Sequence, residues 1–141
     1  MTAPAPATVR QAAVLVALEG AAALIAAVVF VIRAFAGADQ HVVSGFGNAA
    51  WFTVIGAAVL AAGWALWTGR RWGRGIAVFA QLLLLPVTWY IGVGSHQWFY
   101  AVPIAAVAVM TLVLLFSPAT LQWLTSYDSS ANADNSGPET R

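Results

Sequence analysis

The chain has 141 residues, of which 61% are hydrophobic and only 8% charged, with a net charge of +1 and no cysteine. So few charges exclude an ordinary water-facing surface, for which about a quarter of residues are charged, and the small net charge excludes a general affinity for nucleic acid. The absence of cysteine excludes disulfides, thiolate metal centres and cysteine nucleophiles together.

Residues 1–11 begin MTAPAPAT, a Pro/Ala alternation without apolar periodicity, and predict a disordered lead. The apolar run 12–32 follows. It is about 21 residues, or roughly 31 Å of helix, enough to cross a hydrocarbon core of about 30 Å. Arg10 and Arg33 bracket it, with stems long enough to snorkel to the two headgroup layers. A cleavable signal peptide ending at Ala34-Phe35-Ala36 is the alternative. The run is longer than an h-region of about 7–15 residues and Glu19 interrupts it, so an uncleaved span is expected.

Residues 34–48 have the glycine, Asp39 and Asn48 chemistry of a loop. The second span covers 49–67, with Trp51 near one end and Trp64 and Trp67 near the other, as interfacial aromatics. A short connector carries Arg70, Arg71 and Arg74. The third span, 76–93, contains Pro86, whose missing N–H leaves the Leu82 carbonyl without its helical partner and predicts a kink. After a tight turn at 94–98 comes the fourth span, 99–116. Ser117 as N-cap and Pro118 at the first helical position then predict a short interfacial helix over 119–124 that presents Leu121, Trp123 and Leu124 to lipid. Residues 126–141 are polar and predict a disordered tail. Asp39-Gln40-His41 and Ser95-His96-Gln97 occupy equivalent turns of the two helical hairpins, a faint sign of duplication.

The expected fold is therefore all-α: a bundle of four transmembrane helices solvated by a lipid bilayer. Four spans put both ends on one side. Arg10, Arg70, Arg71 and Arg74 lie on that side and Arg33 on the other. The positive-inside rule then predicts a multi-pass protein of the cell inner membrane with both termini cytoplasmic.

Lipid offers no hydrophobic drive between helices, so small residues must let backbones approach. Ala13, Ala17 and Ala21 make such a ridge, as do Ala22 with Ala26, Gly56 with Gly63, and Ala101 with Ala105 and Ala108. They serve bundle packing or, alternatively, homodimerisation.

Glu19 is the single ionisable residue well inside a span. A charge at the centre of a membrane helix costs about 2.5–3.5 kcal/mol, so Glu19 needs a partner or a proton. Depth matching from the span midpoints brings Trp64 and Gln81 to its level, and both can donate hydrogen bonds. Two readings stand: a buried polar staple that fixes helix register, or a carboxylate that couples proton movement to transport. His41, His96 and Asp39 could meet outside the membrane, but their spacing is no metal motif, and neither a metal nor a cofactor is expected. The chain has no catalytic constellation, which argues against an enzyme.

Gly69-Arg70-Arg71-Trp72, Gln81-Leu82-Leu83-Leu84-Leu85-Pro86 and Ser117-Pro118-Ala119, with Leu18-Glu19-Gly20, together resemble a group of small actinobacterial integral membrane proteins. The resemblance spans residues 14–124 and implies a fold and a membrane location, with no activity attached. Small multidrug-resistance transporters offer an analogy limited to helix number and one membrane-embedded Glu in the first helix. The sequence thus predicts a non-enzymatic accessory or self-associating bundle, whose partner is another membrane protein or itself. The alternative is a small proton-coupled transporter using Glu19.

Overall fold

The computed structural model describes residues 4–37 and 42–137. It is all-α: α1 (Ala7–Phe35), α2 (Val42–Trp67), α3 (Arg71–Trp89) running into a π turn over Tyr90–Gly94, α4 (Trp98–Leu115) and α5 (Pro118–Asn135). The segments Ala7–Phe35, Gly45–Trp67, Arg71–Gly94 and Trp98–Leu115 are long and apolar enough to cross a membrane. Their outer faces carry large apolar side chains, with Leu18 61% exposed, Phe79 62% and Phe99 85%.

The helices form a ring. α1 packs on α2 and α4, and α3 packs on the same two neighbours, so α1 and α3 lie across the diagonal. One apolar core draws on all four: Ala12, Ala13 and Val16 from α1, Val59, Ala62 and Leu66 from α2, Ala77 from α3 and Leu115 from α4. The α1–α2 seam is the most extensive interface and depends on glycine. A Cβ on Gly20 would stand 2.6 Å from the Leu60 backbone nitrogen, and one on Gly63 would stand 2.9 Å from that of Ala17. Both distances are too short for any side chain, so the backbones touch, as close membrane packing requires.

The helices are longer than the apolar runs that predict them. α1 is helical from Ala7, within the lead expected to be disordered, because Val9 is buried against Trp123 and Leu124. At its other end Phe35 meets Phe46 edge-to-face at 5.2 Å, and the Phe30 and Phe52 rings stack at 5.5 Å. Those contacts carry α1 and α2 into the segment that reads as loop.

α3 continues through Pro86 and departs from α geometry only at the π turn that follows. Thr88 donates its hydroxyl to the Leu85 carbonyl at 2.8 Å, one turn beyond the carbonyl that proline deprives.

α5 corrects the reading of the C-terminal region. Ser117 caps it, accepting from the Thr120 N–H at 3.3 Å, with Pro118 in the first turn. The helix then runs to Asn135, well past residue 124. Hydroxyls of Ser126, Ser129 and Ser130 donate back to carbonyls of the preceding turn, and Arg71 pairs with Asp128 at 2.5 Å. Trp123 and Leu124 do not face outward as expected. They are 8% and 4% exposed, packed on Val9, because the early start of α1 supplies an apolar partner there. Thr120 completes the dock, donating to the Leu114 carbonyl at 2.8 Å and lying within hydrogen-bond distance, 3.2 Å, of the Thr8 hydroxyl.

Candidate functional site: a buried acid–amide pair

Every fourth residue of α3 from its start turns inward: Gly73, Ala77 and Gln81 are buried. On α1, Ala12, Val16 and Gly20 are buried, and Glu19 follows Val16 by three positions, on the same side of the helix. These two periodicities aim Glu19 and Gln81 at each other across the diagonal of the ring. Gln81 Nε2 donates to Glu19 Oε2 at 2.5 Å, and Gln81 is 0% exposed. The remaining oxygens, Glu19 Oε1 and Gln81 Oε1, are buried without a hydrogen-bond partner, as is Thr111 Oγ1 on the inner face of α4. Buried polar atoms are normally satisfied, and each exception calls for a physical reason.

Trp64 does not join this pair. It is 71% exposed. Its neighbour Gly63 packs backbone-to-backbone on α1, and one residue further rotates the side chain by about 100° around the helix, away from the core. Equal depth in the membrane is therefore not equal azimuth.

The arginines expected to orient the chain gather at one end of the bundle, around α5. Arg10 lies over the Trp67 ring at 5.3 Å. Arg74 donates from Nε to the Leu115 carbonyl at 3.1 Å and sits 4.9 Å from the Phe116 ring. Arg71 holds Asp128, and Arg70 precedes the first turn of α3. Arg33 is in the last turn of α1, at the opposite end. His96 is exposed in the turn before α4, with φ of +54°. Asp39 and His41, its suggested companions, lie outside the described residues.

Sequence reasoning missed the α5 dock. The buried Thr120 was its signal: an Ser-Pro-x-Thr helix start places that hydroxyl one turn in, beside the end of α4. It also missed an open apolar groove on the surface between α3 and α4 near the π turn, lined by Leu85, Thr88, Trp89, Trp98 and Ala101 among others.

Fold and site together define a class: an all-α protein with four candidate membrane-spanning helices closed around a buried carboxyl–amide pair. Comparison of the chain with family models, curated proteins and solved structures finds no match.

Proposed function

We propose that the chain is a four-span protein of the cell inner membrane with both termini cytoplasmic, acting as a non-enzymatic bundle that associates with another membrane protein or with itself. On the motifs given above, we group it with the small actinobacterial membrane proteins it resembles. The observation that carries the membrane reading is the exposure of large apolar side chains around the ring, from Leu18 and Ile25 on α1 to Phe99 and Val113 on α4. Such a surface is stable in hydrocarbon and aggregates in water. The clustering of Arg10, Arg70, Arg71 and Arg74 at the α5 end supports the orientation. Ala57 and Ala61 of α2, exposed one turn apart, support association, since membrane helices pair through small-residue faces. Within the bundle, the Glu19–Gln81 bond acts as the staple between the diagonal helices.

One observation favours a second reading, a small proton-coupled transporter: Glu19 Oε1 is buried without a partner. Glu19→Gln separates the two. Loss of a pH-dependent transport phenotype by a folded variant supports the transporter, and unchanged behaviour supports the staple.

The chain has no cysteine, so single introduced thiols report topology cleanly. An impermeant maleimide applied to intact cells is expected to label Ser95→Cys and to spare Gly75→Cys. The reverse pattern overturns the orientation, and recovery of the chain in the soluble fraction overturns the membrane reading. Repeated recovery of a lone monomer after crosslinking in native membranes overturns the association.

A further inference from the structure

We propose that Glu19 and Gln81 form a proton-binding site at the centre of the bundle, in which Glu19 is a carboxylic acid whose Oε1–H is donated to Gln81 Oε1 while Gln81 Nε2 donates to Glu19 Oε2. The inference rests on the four-span reading and names the ligand of its central pair, the proton.

An ionised carboxylate only accepts hydrogen bonds, and so does the oxygen of an amide. The bond from Gln81 Nε2 to Glu19 Oε2 holds the two groups in contact and leaves one oxygen on each without a donor. An acceptor buried without a donor loses its hydration without replacement, and here that holds for one oxygen of Glu19 and one of Gln81. One proton on Oε1 resolves both faults. A new O–H bond forms, the carboxyl charge goes from −1 to 0, and the former acceptor becomes the donor that Gln81 Oε1 lacks. The acid and the amide then close a ring of two complementary hydrogen bonds, and the proton returns to water when the ring opens.

The charges around the pair point the same way. α2 contributes no ionisable side chain, and α4 contributes only Tyr100, close to its start at the other end of the bundle. On α3, Arg71 and Arg74 lie in the first turn and are engaged by Asp128, the Leu115 carbonyl and the Phe116 ring, while Tyr90 lies beyond Pro86. On α1, Arg10 stacks on Trp67 and Arg33 lies in the last turn. No cationic side chain of the described residues is placed against the pair, so a carboxylate there would be an uncompensated charge in a medium where charge is costly. A metal cation fits the pair poorly. Hard cations such as calcium take about six to eight oxygens, and the Gln81 Nε2–H₂ group facing Glu19 would repel one.

Glutamate occurs only at positions 19 and 139, which makes the site observable alone. The Glu139→Gln chain, labelled with ¹³C-glutamate and reconstituted in phosphatidylcholine vesicles, is read by solid-state NMR at neutral pH. The expected result is one glutamate carboxyl resonance at the carboxylic-acid position, with a contact to the Gln81 side-chain amide. Glu19→Gln, neutral and nearly isosteric, is expected to keep the wild-type unfolding midpoint at neutral pH, whereas wild type alone loses stability as pH is raised. If Glu19→Gln fails to fold, the labelled Glu139→Gln chain still decides the matter. A carboxylate resonance from vesicle-inserted protein overturns the proton site and leaves the four-span reading intact. Failure of the chain to enter vesicles overturns that reading, and this site with it.

Discussion

α1 is held by two junctions of different physics. Against α2 it makes a long seam in which Gly20 and Gly63 let backbone meet backbone. Toward α3, across the diagonal, the polar tie among the described residues is the Glu19–Gln81 bond, beside the apolar core that Ala77 shares with Ala12, Ala13 and Val16. The seam gains from many small dispersion contacts that depend on shape, so it is intolerant of added volume and indifferent to charge. The diagonal junction is directional, so it is intolerant of losing one partner and can survive losing both. A membrane bundle uses the first kind of contact to set how near two helices lie, and the second to set which faces meet.

Gly20→Leu is the sharpest way to break the seam. Its side chain would begin 2.6 Å from the Leu60 nitrogen, forcing α1 and α2 apart at an expected cost of about 3 kcal/mol. Denaturant unfolding in mixed micelles, followed by tryptophan fluorescence, measures it. A loss well under 1 kcal/mol, on the scale of a tolerated surface change, would mean that the seam is looser than described.

Gln81→Leu tests the diagonal. It strips Glu19 of its donor in the core and is expected to cost about 2 kcal/mol. The double variant Glu19→Leu/Gln81→Leu is expected to recover most of that, because replacing both partners by apolar groups is nearly neutral. A double-mutant cycle gives the coupling directly. Simple additivity of the two single losses would show that the side chains do not act as a pair.

Asp128→Ala gives the smallest effect and probes the third attachment, that of α5. Arg71 and Asp128 have side chains 59% and 43% exposed, and an ion pair so placed contributes about 0.5 kcal/mol or less. Hydrogen exchange of the last turns of α5 is expected to quicken, with no change in unfolding of the four long helices. A global destabilisation would mean that α5 is part of the bundle core.

The all-α class, the four apolar helices and the small-residue faces themselves, such as Ala13 with Ala17 and Gly56 with Gly63, were legible in the sequence, because they follow from composition, length and local periodicity alone. So was the pairing of Glu19 with Gln81 by depth, since rise per residue sets depth without reference to fold. That Gly63 docks on Ala13 and Ala17 was decided by the tertiary structure. Azimuth was not legible. Trp64 shares that depth and faces outward, and only the seam between α1 and α2 decides which way α2 is turned. The extent of α5 and the burial of Trp123 were hidden for the same reason. A tail of serines has no apolar pattern of its own, and its helix depends on Val9, Thr8 and Arg71, residues far away in the chain that tertiary packing brings beneath it.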